Sequence, residues 1–297
     1  MKAITVFFCF ISIILYGQIE KNFIDLSEYP NKHILSSLIN ETSAVEYYKN
    51  YLYTCNDSGG KAEVYKLNSN NGNVLQTIKI KGIKNVDWEE LARKGDTLYI
   101  GDFGNNLGIR KDLTIYSIKL PSDYSQIIEV PILEKFRFIF EDQKEFSNQG
   151  SYQTNFDCEA FIYYKNKLHL FTKRWSDFQT THYELDLKSS KIPIIAKKIE
   201  TFDTECLITG SDIHKDTLYL IGYTKETAYV WKFYDFFENK FFNGKAQQSL
   251  IGLTGAVGQT EGIAVTDNYI YITGEEMNYS LFHVNPTLYI LNKEELN

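Results

Sequence analysis

The residues of this chain best suited to chemistry are carboxylates: Asp57, Asp87, Glu89, Asp102, Asp157, Glu159, Glu261 and Glu275, accompanied by the basic pair Lys173 and Arg174. Asp87 and Glu89 are two residues apart, as are Asp157 and Glu159, and on a strand such pairs point to one side. Two carboxylates ~7 Å apart repel by about 2 kcal/mol in an effective dielectric near 20. A set of them converging on one place needs a counter-charge, bound protons or solvent. An oxygen-rich set without His or Cys suits calcium rather than zinc.

The scans for other chemistry are negative. There is no Gly-x-Ser-x-Gly elbow, no His-Glu-x-x-His pair and no Gly-x-Gly-x-x-Gly loop. Asp102-Phe103-Gly104 spells a kinase metal-binding triplet, but no phosphate-binding loop or catalytic loop accompanies it. The histidines His33, His169, His182, His214 and His283 are scattered, and His169 reads as a core position. No residue is assigned a catalytic role on sequence.

The elements that must position these carboxylates show as a repeat. Five segments share a small or acidic start, a short apolar stretch, a polar turn and an apolar strand nine residues on. They are Ser43-Ala44-Val45 to Leu52-Tyr53-Thr54, Glu89-Glu90-Leu91 to Leu98-Tyr99-Ile100, and Glu159-Ala160-Phe161 to Leu168-His169-Leu170. Thr209-Gly210-Ser211 to Leu218-Tyr219-Leu220 and Glu261-Gly262-Ile263 to Ile270-Tyr271-Ile272 complete the set. A third strand follows in each, as in Ile115-Tyr116-Ser117-Ile118, and most units have a fourth. A strand-and-turn unit recurring every 46 to 70 residues is the mark of propeller blades.

The expected fold is therefore all-β: a single β-propeller of five four-stranded blades, with six as the alternative. The last unit stops after its third strand, so the N-terminal segment Asn22 to Leu26 is expected to supply the missing outer strand and close the ring. Ser122 to Asn155 reads as a long insertion or the remains of a sixth blade. In such a ring the starts of the first strands and the loops after the second strands meet at one mouth of a central channel. Asp57, Asp87, Asp157, Lys173, Arg174 and Glu275 are the candidate ligand-binding residues there. Three readings of this mouth stay open: a bound cation, carboxylates that only hydrogen-bond the neighbouring blade, and direct contact with a cationic or hydroxyl-rich ligand. Trp88 and Trp175 are candidate stacking surfaces.

Residues 1–17 read as a signal peptide, with Lys2 before an apolar run from Ala3 to Tyr16, and residues 18–297 as the propeller domain. The expected location is secreted or periplasmic. No later stretch is apolar enough to span a bilayer. A formal charge of −7 without basic clusters argues against nucleic acid. Beyond the expected signal peptide, Cys55, Cys158 and Cys206 are an odd set read as buried free thiols.

Val86-Asp87-Trp88-Glu89-Glu90-Leu91-Ala92, Tyr99-Ile100-Gly101-Asp102-Phe103-Gly104-Asn105-Asn106 and Thr260-Glu261-Gly262-Ile263-Ala264 resemble segments of exported propellers of the SdiA-regulated family and the phytase-like and gluconolactonase-like group. The resemblance implies a propeller and a divalent ion at the channel mouth, with Glu89, Asp102, Glu159 and Glu261 as the positions that could hold it. Thr209 and Ser43 depart from the pattern, and no complete ligand set of a known enzyme matches. The function expected is binding or scaffolding of a small molecule, glycan or envelope protein. The alternative is a calcium-dependent hydrolase of a lactone, ester or phosphate.

Overall fold

Alternation of apolar side chains along each strand decides the architecture, because both faces of every sheet are covered. In Leu98-Tyr99-Ile100, Leu98 and Ile100 pack into one core while Tyr99 packs into the next. Leu218 and Leu220 likewise face one core and Tyr219 and Ile221 the other. Successive strand residues point to opposite faces, so the recurring apolar-Tyr-apolar triplet is the signature of a sheet sandwiched between two others.

The computed structural model describes residues 19–148, 150–187, 192–278 and 283–296. The expected signal peptide lies outside them. Among the described residues no helix is long and apolar enough to cross a membrane.

The described residues form five antiparallel meanders. The first contains Glu46–Tyr48, Tyr51–Cys55, Glu63–Asn68 and Val74–Ile80, and the second Trp88–Lys94, Thr97–Asp102, Thr114–Lys119 and Glu134–Phe140. The third contains Asp157–Tyr164, Lys167–Lys173, Gln179–Asp186 and Ile194–Asp203. The fourth contains Leu207–His214, Thr217–Tyr223, Thr227–Tyr234 and Lys245–Leu253. The fifth contains Thr260–Val265, Tyr269–Gly274 and Thr287–Asn292, with Lys32–Ile34 as its outer strand.

The first strands of consecutive meanders pack side by side, and that of the fifth meets that of the first. Apolar cores fill the spaces between neighbouring meanders all the way round, from first-with-second to fifth-with-first. Cys55, Cys158 and Cys206 are buried free thiols.

One sequence expectation changes. The strand that completes the fifth meander is Lys32–Ile34, paired antiparallel with Thr287–Asn292, and not Asn22 to Leu26. The chain turns at Asp25, whose carboxylate accepts hydrogen bonds from Ser27 N and Oγ at 3.0 and 2.7 Å, and Leu26 is buried. Glu20–Phe23, just before that turn, instead runs parallel to the outer strand of the fourth meander. Among the described residues, the segment Ser122 to Asn155 builds no meander of its own. Its Ile127–Val130 adds in parallel to the first meander, and Glu134–Phe140 is the second meander's outer strand, which also joins Ile194–Asp203 of the third.

Candidate functional site

The register between first and second strands slips by one residue at the same place in four meanders. The shifts fall between Trp88 and Glu90, Cys158 and Ala160, Ile208 and Gly210, and Thr260 and Gly262. The extra residues are Glu89, Glu159, Thr209 and Glu261. A β-bulge leaves its extra residue out of the ladder and re-aims its side chain. The three glutamates consequently line one cavity of about 790 Å³, although each is 4–6% exposed.

The cavity sits at the channel mouth where the first strands begin. Asp57, Lys173, Glu275, Trp175, Tyr223 and Tyr152 also line it. Of the carboxylates expected there, the structure brings Asp57, Glu89, Glu159, Glu261 and Glu275 to the wall. One carboxylate oxygen from each of Asp57, Asp87 and Glu89 lies within 4.8 Å of the others. Calcium binds oxygens at 2.3–2.6 Å, so two oxygens on one ion can stand up to roughly 5 Å apart. The spacing of this trio is therefore compatible with three oxygens on one calcium ion.

Local sequence explains how the trio is held. Asn85 donates from Nδ2 to the carbonyls of Asn56 and Asp57, both at 2.8 Å, and accepts from Trp88 N at 3.0 Å. It thereby ties the Asp57 loop to the start of the second meander. Gly104 gives the carboxylates of Asp87 and Glu89 their space. A Cβ there would stand 2.0 Å from Glu89 Oε1 and 2.5 Å from the Asp87 carboxylate.

Three candidates are placed differently. Asp102 is spent on a 2.8 Å ion pair with Arg110, which also donates to Gly104 O at 2.9 Å. It is absent from the cavity wall, and its carboxylate braces the loop that carries Gly104. Asp157 accepts from Asn105 N at 2.6 Å and from Trp175 Nε1 at 2.8 Å, so it orients the Trp175 ring. Arg174 reaches Asp177 and Thr181 and not the cavity. Of the two expected stacking surfaces, Trp175 lines the cavity with Tyr152 against it, ring centres 4.4 Å apart. Trp88 is fully buried between the first two meanders.

Burial, followed by repulsion among neighbours, sets the electrostatics. The Asp57 carboxyl is pushed up to about 6 by burial, with Glu41 and Asp157 adding repulsion. Asp87 rises to about 7 through burial, then Asp57 and Asp157. Burial raises Glu89 well above the usual range, and Asp57 and Glu159 push it the same way. Glu261 rises to about 7 by burial despite Lys173. Lys173 itself is almost completely buried. Burial favours its neutral form, but Glu159, Tyr223 and Glu261 outweigh this and hold it charged. Its ammonium stands 2.6 Å from Glu159 Oε2, and 4.7 and 5.3 Å from the ring centres of Trp175 and Tyr223.

Sequence reading missed Asn85, Arg110, Tyr223 and Glu90. Glu90 is fully buried and accepts from Ser211 N at 2.8 Å, joining the second meander to the fourth, which is not its neighbour in the ring. Its signal was visible: Ala44, Ala160, Gly210 and Gly262 hold the equivalent position in the other repeats, and a glutamate among them stands out.

No family model and no curated protein sequence matches the chain. Its fold is similar to that of an exo-β-1,3-galactanase from Phanerochaete chrysosporium, with a TM-score of 0.52 and 10% identity over 88% of this chain and 64% of that one. A GH43 β-1,3-galactosidase gives a TM-score of 0.50 and 11% identity over 86% of this chain and 90% of that one. An aldose sugar dehydrogenase from Streptomyces coelicolor gives 0.48 and 9% identity over 89% of this chain and all of that one. The galactanase and the galactosidase support the fold, a β-propeller, and nothing finer.

Proposed function

We propose that the protein is a five-bladed propeller whose acidic channel mouth binds a divalent cation and, beside it, an oxygen-rich ligand. The observation that carries this reading is the convergence of carboxylates from four meanders on one cavity, with the buried Lys173 beside them. Asp57, Asp87 and Glu89 are the cation ligands in this reading, and calcium is the ion that an all-oxygen set favours. Glu159 is neutralised by Lys173, whereas the three carboxyls of the trio crowd together and are pushed toward their protonated forms by burial and by one another, protons that a bound cation would displace. Tyr152 and Trp175 offer an aromatic wall for a ligand resting on the ion. The expected setting is the secreted or periplasmic space, where calcium is plentiful enough to occupy a site of modest affinity.

The test is a calcium titration of thermal unfolding. A ligand at ~100 times its Kd adds about 2.7 kcal/mol, which for a chain of this size raises the Tm by roughly 5–8 °C. D57N and E89Q should each abolish the shift. A wild-type shift below about 1 °C at that excess would overturn the reading.

A second reading, a cation-dependent hydrolase, is favoured by one arrangement. Glu261 lines the same cavity as Asp57 and Glu89, and its carboxyl at about 7 suits proton transfer near neutral pH. A bound divalent ion would polarise a substrate oxygen, while Glu261 would exchange the proton. Calcium-dependent turnover of lactone, ester or phosphate substrates that is lost in E261Q would establish it. No turnover of any of these classes in the calcium-loaded protein leaves the binding reading standing alone.

A further inference from the structure

The other mouth of the channel, where the first strands end, opens into a second cavity of about 720 Å³. Its character is opposite to that of the acidic mouth. Two of its three carboxylates meet bases: Glu46 pairs with Arg93 at 3.2 Å, and Asp267 pairs with His214 and Lys215. The Asp212 carboxylate accepts from Ile213 N and Val265 N at 2.7 and 2.6 Å. This mouth therefore makes little electrostatic demand for a cation.

Uncharged groups dominate the rest of the wall. Tyr47 and Tyr271 are stacked with ring centres 5.7 Å apart. Tyr269 lies against Tyr271 at 6.3 Å and is 42% exposed. The amides of Asn70 and Asn268 stand exposed beside these rings.

A second feature adjoins this cavity. Glu46, Arg93 and Asp212 also bound a small void of about 70 Å³, and Ser211 is in its wall. Ser211 is 3% exposed, and its hydroxyl has no hydrogen-bond partner among the described residues. A buried hydroxyl without a partner marks a place that water or a ligand hydroxyl completes.

We infer that this second mouth is a binding site for a neutral, hydroxyl-rich ligand, a saccharide, separate from the acidic mouth. The exposed Tyr269 ring can take the C–H surface of a sugar ring, backed by the buried, stacked Tyr271. Amides donate and accept at once, as sugar hydroxyls do, and the balanced Glu46–Arg93 pair offers both an acceptor and donors. A cavity of 300–1,000 Å³ with a few convergent polar groups is the usual form of such a site.

Affinity electrophoresis of the purified protein tests this, using gels containing dextran, hydroxyethylcellulose or laminarin as neutral probes and chitosan or polygalacturonate as charged ones. At least one neutral polymer should retard the protein, equally in calcium and in EDTA. Y269A, at a half-exposed ring, should weaken that retardation about ten-fold, the equivalent of ~1.4 kcal/mol, with the Tm unchanged. S211A provides a second variant, expected to weaken retardation by removing the buried hydroxyl. The inference is overturned by no retardation in any neutral gel, by retardation only in charged gels, by retardation that EDTA abolishes, or by full retention in Y269A. Calcium independence separates this outcome from that of the acidic mouth.

Discussion

Glu159 and Lys173, on adjacent strands of the third meander, form a 2.6 Å ion pair with 4% and 5% of their surfaces exposed. A pair this deeply buried is worth little over a well-packed apolar replacement, but removing one partner strands a charge. K173M should therefore cost about 3–5 kcal/mol, read as a lower midpoint in denaturant unfolding. The double variant E159L/K173M should recover most of that loss. Equal stability of K173M and wild type would show that Lys173 does not neutralise Glu159.

Gly104 offers a test of the acidic mouth that leaves every carboxylate in place. A methyl group there collides with the Glu89 and Asp87 carboxylates, which are the ends of side chains able to swing aside. G104A should fold, with a loss of Tm of only a few degrees, yet lose more than half of the calcium-induced stabilisation. A full calcium response in G104A would remove Asp87 and Glu89 from the ion's ligand set.

The mouth carboxyls also predict how stability varies with pH in the absence of cation. Asp57, Asp87 and Glu261 sit at about 6, 7 and 7, above their unfolded values near 4. The folded state then binds more protons than the unfolded chain between about pH 4 and 7, so stability falls as pH rises through that window. Melting curves in EDTA should shift downward from pH 5 to pH 8, and calcium should flatten the decline. A Tm in EDTA that rises steadily over this range would contradict the protonated state assigned to these groups.

Away from the mouth, His169, His182 and Glu200 form a buried chain. His169 Nε2 lies 3.3 Å from the Tyr164 carbonyl and its Nδ1 2.9 Å from His182 Nε2, while His182 Nδ1 is 3.1 Å from Glu200 Oε1. The carbonyl can only accept, and burial drives both histidines down to about 3, so they are neutral near pH 7. The proton between His182 and Glu200 must then come from Glu200, which burial raises to about 7. Its contribution is complete below about pH 4.5 and lost as pH passes 7. E200Q carries a permanent donor but gives up the acceptor that Phe242 N meets at 3.4 Å, so its Tm should change less than that of wild type between pH 5 and pH 8. The histidines titrate alike in both proteins, and the difference between the two curves isolates Glu200. Parallel curves would contradict this protonation scheme.

The fold was legible because sandwiched sheets print their pattern on the sequence: Leu98-Tyr99-Ile100 and Ile270-Tyr271-Ile272 are apolar on both faces, flanked by turns. The closing strand was misplaced because Asn22 to Leu26 and Lys32–Ile34 are both short and strand-like, and the turn at Asp25 depends on a local carboxylate bond that composition does not reveal. At the site, the equivalence of Glu89, Glu159 and Glu261 could be read from the repeat, whereas the bulge that aims them has no composition of its own. Strict alternation paired Asp157 with Glu159 as it did Asp87 with Glu89. Only a folded structure shows Asp157 turned to Trp175 and Asn105, and Asp102 claimed by Arg110 across a loop.

The account rests on a cation among Asp57, Asp87 and Glu89, and diffraction from calcium-soaked crystals tests it most directly. One anomalous peak within about 2.3–2.6 Å of oxygens from all three residues is the expected result, absent from crystals of D57N. A fully calcium-soaked crystal with only water or a lysine ammonium between those carboxylates would contradict it.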